Sequence, residues 1–232
     1  MKTAVVLMSG GVYSAVTACV AKEEYELALL HVSFGQRCEE RERRAAEEIA
    51  GHLKAPHTLV TELPFVAQVG GNARVDRKIP IEDAAAIGPH VPNTFVPGLM
   101  PSMLGIATGW AAQLRAERIF VGVTETIAIA SQPGRTLYPD YRREFYQRYG
   151  YLLETALPER IKVKVEVPLI DFSHKDTVLL GLRLKTPFHL TWSCYRNDDK
   201  PCGTCYGCAV RSQAFAAAGA VDPLAAAADA WP

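Results

Sequence analysis

Residues 3–22 read TAVVLMSGGVYSAVTACVAK, and this stretch decides the fold. Thr3–Met8 is a short apolar run rich in β-branched residues, too short for a helix and bounded by Ser9, Gly10 and Gly11. The Ala- and Val-rich run that follows to Lys22 has no breaker and reads as a helix. Strand, glycine turn and helix in that order open an α/β unit. Outward from it the alternation continues. Leu27–Val32 (LALLHV) is a second buried strand, and Glu39–Leu53 is a charged amphipathic helix with Ala45, Ala46, Ile49, Ala50 and Leu53 on one face. His57–Glu62 reads as the next strand. Residues 63–97 are rich in Gly, Pro and charge and read as a long loop, which in a compact domain is usually a binding loop. Met100–Ala116 then reads as a helix, Ile119–Val123 as a strand, 124–140 as irregular and Tyr141–Leu157 as a helix, before Val163–Val167 alternates charge with valine. The expectation is an α/β fold with a doubly wound parallel sheet, Rossmann-like, ending in a metal-bearing segment. Its divisions fall at 1–190 for the α/β domain, 191–220 for the cysteine segment and C-terminal helix, and 221–232 for a tail whose Ala225–Ala228 frays.

In an open parallel sheet the ligand crevice lies at the carboxyl ends of the strands, so Ser9-Gly10-Gly11 stands where an anion would be gripped. Glycines let backbone N–H groups approach phosphate oxygens, and the following helix adds the positive end of its dipole. Ser9 and Ser14 offer hydroxyl donors. By itself a Ser-Gly-Gly turn is equally a plain turn. It matches neither the P-loop pattern nor the dinucleotide fingerprint.

Cys194, Cys202, Cys205 and Cys208 fall within the run CYRNDDKPCGTCYGC. Two overlapping C-x-x-C steps and a fourth thiol upstream suit a tetrahedral zinc ion with no vacant position, hence a structural one. Disulfides or scattered core thiols are the alternative reading.

Asp and Glu balance Lys and Arg at 25 each, which leaves no global electrostatic footprint for nucleic acid. The N-terminal apolar run is too short for a signal sequence, and no stretch approaches the roughly 20 apolar residues of a membrane span. The chain reads as soluble and cytoplasmic, without membrane or nucleic-acid partners.

Taken together, several stretches resemble the 7-cyano-7-deazaguanine synthases, a branch of the ATP pyrophosphatases that carry an SGGxDS phosphate loop. The likeness includes SGG and Ser14, FGQR at 34–37 with Glu39, PNTFVPG at 92–98 and IFVGV at 119–123. It continues through YPDYRREF at 138–145, PLIDFS at 168–173 and TWSCY at 191–195, then KPCGTC, Cys208 and Arg211. The resemblance implies an adenine nucleotide alpha hydrolase-like fold and an AMP-forming carbon–nitrogen ligase that turns 7-carboxy-7-deazaguanine and ammonia into the nitrile preQ0. It implies ATP with Mg²⁺ at Met8, Ser9, Gly10, Gly11, Val12, Tyr13, Ser14 and Ala15, and the acid near Gln36, Arg37, Tyr138, Asp140 and Arg142. It further implies structural Zn²⁺ on the four cysteines, a homodimer, and no protein nucleophile.

The chain departs from that pattern at Tyr13, where the loop has Asp, and at Leu99–Met100, where Arg-Asn is usual. Cys38 replaces the usual histidine, and the 124–137 loop is longer than usual and differs in sequence. These changes keep two other readings open: a relative that activates a different acid or amide, and a binding protein that no longer turns ATP over. None of His31, His52, His57, His90, His174 and His189 shows paired spacing with carboxylates, so each reads as a surface or core histidine. Asp171 reads as a crevice residue or as the cap of the helix starting near Ser173, and Trp192 as a base-stacking ring or a floor under the cysteine loop. Arg41, Arg43 and Arg44 read as a solvated helix side interleaved with glutamates.

Overall fold

The computed structural model describes residues 2–126, 136–197 and 199–224. Five parallel strands, β1 (Lys2–Leu7), β2 (Tyr25–Ser33), β3 (His57–Glu62), β4 (Arg118–Phe120) and β5 (Lys164–Glu166), lie in the order β3-β2-β1-β4-β5. Among the described residues seven α-helices connect or flank them: α1 (Val12–Lys22), α2 (Glu39–Leu53), α3 (Pro64–Val69), α4 (Leu99–Leu114), α5 (Arg143–Ala156), α6 (His174–Arg183) and α7 (Tyr206–Ala217).

The strand period of two sorts β1 between two layers. Ala4, Val6 and Met8 face α1 and α2, packing with Ala15, Ala18, Ile49 and Leu53. Val5 and Leu7 face the other way, against Leu104, Ala107 and Ala111 of α4 and Tyr146 and Leu153 of α5. Burying Ile49 or Leu53 stabilises by about 1.5–3 kcal/mol each. Both faces of the sheet are therefore covered, which is why its strands are continuous apolar runs instead of alternating ones. The chain leaves β1 toward β2 and later returns to β4 on β1's other side, so the order reverses between β1 and β4.

Strand β4 is shorter than the run IFVGV suggests. Val121 N–H still donates to Glu166 O at 2.9 Å, but Gly122 then packs against the Tyr13 backbone and the chain bends out of the ladder. The stretch from 63 to 97 is mostly irregular, with α3 and a 3-10 turn at Ala84–Ala86 inside it. Side-chain amides organise it. Asn72 Oδ1 accepts from the N–H groups of Arg74 and Val75, and Asn93 Nδ2 donates to Pro80 O. The same loop pairs with the cysteine segment through Ala84 N–H to Thr204 O and an Asp83–Cys205 bridge.

Helix α6 is capped by Ser173, whose hydroxyl accepts from Asp176 N–H, so Asp171 is not the cap. Asp171 instead pairs with Arg143 at the surface. Helices α6 and α7 pack on α1 through Val16, Val178, Phe188 and Phe215. Arg211 of α7 is buried and holds Asp222 by two hydrogen bonds of 2.7 and 2.8 Å. Among the described residues no helix is long and apolar enough to cross a membrane. The Ala225–Ala228 tail and 127–135 of the variant loop lie outside the described residues.

Candidate functional site

The turn after β1 sits at the reversal of strand order, where a doubly wound sheet opens its crevice. Gly10 adopts a left-handed φ of +81°, and a Cβ there would fall 2.6 Å from Glu42 O and 2.8 Å from Ala45 Cβ, so the loop lies flat on α2. Ser14 Oγ donates to Gly11 O at 3.0 Å and lies 3.1 Å from Ser9 Oγ, which fixes the turn from within. Gly11 occupies the N-cap of α1 and no side chain caps that end. The first-turn amides of an uncapped helix seek an external acceptor, and an anion is the natural one. Trp192 N–H donates to Gly10 O at 2.8 Å, tying the cysteine segment directly to this loop.

The loop forms one end of a cavity of about 230 Å³. Tyr13 projects into it and donates its hydroxyl to Nδ1 of His174. Nε2 of His174 lies 3.1 Å from Thr126 O, a carbonyl that can only accept, so the proton sits on Nε2 and Nδ1 is the acceptor. Burial lowers the His174 pKa to about 4 and raises that of Tyr13. The pair is thus uncharged near neutrality, in the place where the resemblance has a carboxylate. His174 is not a bystander core histidine. His31 also lines the cavity, donating from Nδ1 to Met8 O at 2.9 Å, while His90 pairs with Glu82 at 2.8 Å on the surface.

Leu99, Met100 and Met103 make another wall apolar. Opposed in character is a buried network. Arg74 donates to Glu42 at 2.9 Å, and Gln36 Nε2 donates to the same carboxylate at 2.9 Å while its Oε1 accepts from Phe34 N–H. Gln36 thus orients a lining residue without lining the cavity itself. Arg37 lies apart, donating to the carbonyls of Asp76 and Ile79. Tyr138 stands behind the lining residue Tyr141, stacked at 5.1 Å, with its hydroxyl on Thr94. Asp140 and Arg142 flank Tyr141, and burial pushes the Asp140 pKa up to about 6. Glu42, Arg74, Tyr141 and Tyr195 escape a sequence reading, although Glu42 leaves a trace: it continues the buried α2 stripe of 45, 46, 49 and 53.

The four cysteine sulfurs all lie within 4.8 Å of one another, and those of Cys202 and Cys208 are 4.0 Å apart. Four ligands at about 2.3 Å from a tetrahedral ion would stand about 3.8 Å apart, so the cluster fits such an ion. Backbone N–H groups of Tyr195, Arg196, Cys202 and Cys205 point at Sγ atoms at 3.3–3.4 Å, an arrangement that favours thiolate. None of the six cysteines is joined in a disulfide, which removes that alternative. Cys38 shares the apolar surroundings but turns its thiol to Asn197 O at 3.1 Å. Trp192 is the floor under the loop, with Nε1 donating to Cys194 O, and Arg41 stacks on its ring at 5.0 Å, unlike solvated Arg43 and Arg44.

The sequence matches the family described as queuosine biosynthesis protein QueC over residues 3–219. A 7-cyano-7-deazaguanine synthase of Koribacter versatilis is 40% identical over 225 residues, covering 95% of this chain and 92% of that relative. Another, of Methanoculleus marisnigri, is 37% identical over 97% of this chain and 98% of its own length. Among solved structures, an NH3-dependent NAD synthetase from Campylobacter jejuni aligns with a TM-score of 0.47 and 10% identity, over 81% of this chain and 66% of that one. With a match across nearly its whole length, this chain belongs to the queuosine biosynthesis protein QueC family.

Proposed function

We propose that this chain is a 7-cyano-7-deazaguanine synthase, an ATP-dependent ligase that converts 7-carboxy-7-deazaguanine and ammonia into the nitrile. The observation that carries the reading is the 34–40% identity, over about 95% of the chain, to relatives of that name. A carboxylate is a poor electrophile. Its oxygen attacks the α-phosphorus of ATP, expelling pyrophosphate and leaving an acyl adenylate. Ammonia adds to the acyl carbon, and AMP and a proton depart to leave the amide. The amide oxygen attacks the α-phosphorus of a second ATP, expelling pyrophosphate and losing an N–H proton to leave an adenylyl imidate, and loss of AMP and a proton from that imidate gives the C≡N bond.

Little of this asks for a protein nucleophile; it asks for positioning and for donors around the phosphates. In this reading the Ser9–Ser14 loop and the open amides of α1 hold the phosphates, and Tyr13 offers a neutral hydroxyl beside them. The four cysteines would hold a structural zinc ion that fixes the 191–208 segment and, through Trp192 N–H on Gly10 O, the loop itself. Mg²⁺ does not fit equally well. Glu42 is the sole carboxylate lining the cavity among the described residues, and it is engaged by Arg74 and Gln36. Residues 127–135 contain neither Asp nor Glu. Among the described residues, then, the cavity lining offers no free carboxylate for a metal beside the phosphates. A cytoplasmic homodimer is part of the same reading.

The test is direct: purified protein with ATP, an ammonium salt and 7-carboxy-7-deazaguanine should yield the nitrile with two equivalents of AMP and of pyrophosphate. Neither product appearing, where a relative of the same name turns over, would reject the assignment.

A further inference from the structure

One wall of the cavity carries a charged pair that the ligase chemistry leaves without a task. Arg74 lines the cavity with its guanidinium against the rings of Phe34, at 5.1 Å, and Tyr195, at 4.5 Å. Its Nη2 donates to Glu42 Oε1 at 2.9 Å and to Oε2 at 3.3 Å. Nε and Nη1 make no hydrogen bond, and neither is fully buried. Glu42, 7% exposed, also lines the cavity. Its Oε2 is further occupied by Gln36 Nε2, whereas Oε1 accepts from Arg74 alone and keeps an acceptor site.

A buried ion pair is a costly way to fill the end of an apolar helix stripe, since two well-packed aliphatic side chains serve stability as well or better. Contacts with two aromatic rings and the Gln36 amide hold the pair in one orientation, which is what recognition needs and packing does not. Its place fits that role, because the Glu42 carbonyl is the atom that a Cβ on Gly10 would strike. The pair stands beside the phosphate loop, where the acid of an adenylation must lie.

We propose that Arg74 and Glu42 together select the acid substrate by reading a cyclic-amide edge on its planar heterocycle, Arg74 donating to the ring carbonyl and Glu42 accepting from the neighbouring ring N–H. The identity of that acid rests on the ligase reading; the selection rule is new. Nη2 and Oε1, a donor and an acceptor side by side at 2.9 Å, mirror a carbonyl oxygen beside a ring N–H. An amidine edge, with a ring nitrogen acceptor beside an exocyclic amine, presents the reverse pattern and sets acceptor against Glu42 and donor against Arg74.

The experiment is calorimetric titration of the full chain, without ATP, with 7-deazaguanine (cyclic-amide edge) and 7-deazaadenine (amidine edge), neither of which has the reactive carboxylate. Wild type is expected to prefer the former by about 10- to 100-fold, the range of hydrogen bonds to charged groups. Arg74→Met and Glu42→Gln should each erase most of that preference, and the exchanged pair Glu42→Arg with Arg74→Glu should abolish or invert it. A merely structural pair would leave the ratio unmoved. Equal affinities in wild type, no binding of either, or an unaltered ratio in a variant that melts like wild type each overturns the proposal. Its failure is separable from that of the ligase reading. Nitrile formation by Arg74→Met at unchanged KM sinks the proposal alone, whereas a strong Arg74-dependent preference in a chain that releases no AMP sinks the ligase reading alone.

Discussion

Gly122→Ala tests whether the end of β4 and the phosphate loop are built against each other. Gly122 has an ordinary negative-φ backbone, so the effect is purely one of space. An added Cβ would lie 2.6 Å from both C and O of Tyr13 and 2.7 Å from Ser14 N, where ordinary contact begins near 3.4 Å. The atoms it meets are backbone, which cannot swing aside as a side-chain tip can. The loop must therefore retreat by about 0.8 Å, or β4 must peel from β1. Overpacking of this kind costs about 1–3 kcal/mol. At about 2–4 °C per kcal/mol for a chain of this size, the melting temperature should fall by roughly 2–12 °C. A loop displaced by most of an ångström also loses aligned amides, so ATP affinity should fall by an amount on the order of 100-fold. Gly109→Ala is the opposite control. Gly109 is exposed on α4 with nothing within 4 Å of its would-be Cβ, and alanine there should stabilise by up to about 1 kcal/mol with ATP affinity unchanged. Thermal melts and ATP titrations on both variants decide the matter. A Gly122→Ala protein that melts within about 1 °C of wild type and binds ATP equally well refutes the reasoning.

Further predictions concern the rest of the site and its supports. His174 should make the fold acid-sensitive. Its folded pKa of about 4 lies below the free value of 6.5, so the unfolded chain binds the extra proton and stability falls as pH drops from about 6.5 to about 4, then levels off. Urea midpoints at pH 7 and 5 should diverge less in His174→Asn than in wild type; equal divergence would clear His174 of that role. On the proposed zinc reading, a chelator or Cys205→Ser should lower both the melting temperature and ATP affinity, because Trp192 N–H ties the cysteine segment to Gly10 O. Loss of stability with ATP affinity intact would show that the tie is idle. Asp222→Ala should cost about 3–5 kcal/mol in urea unfolding by stranding Arg211, which is 5% exposed. A cost below about 1 kcal/mol would mean that water reaches the arginine.

Much of the sheet was legible because burial on both faces writes itself as apolar runs. TAVVLM, LALLHV and the Ala-Ile-Leu stripe of α2 can pack in few other ways, and the structure follows them to within a residue or two. Legibility stops where structure is held by individual side chains. Asn72 and Asn93 shape the 63–97 stretch through single hydrogen bonds to backbone, which have no period. The early end of β4 is equally invisible, since it depends on a glycine meeting a turn more than a hundred residues away.

For the site, the two local clusters were legible and the long-range pairs were not. Ser9–Ser14 and the four cysteines announce themselves because their geometry is set within a few bonds. Tyr13 and His174 are 161 residues apart, and Glu42 and Arg74 are 32 apart on a helix and a loop; only the fold joins them. Yet it is these pairs that set the electrostatics of the cavity. Tyr13 with His174 is neutral by proton placement, and Glu42 with Arg74 is neutral by cancellation, so no uncompensated side-chain charge faces the cavity among the described residues. On the proposed ATP reading, attraction for a triphosphate would then come from the uncapped amides and dipole of α1, which act over a single helical turn and reward position more than charge. In such a cavity a new carboxylate at position 13, lacking a cation, would repel the phosphates it sits beside. Tyr13 is therefore consistent with this cavity and is not a defect in it.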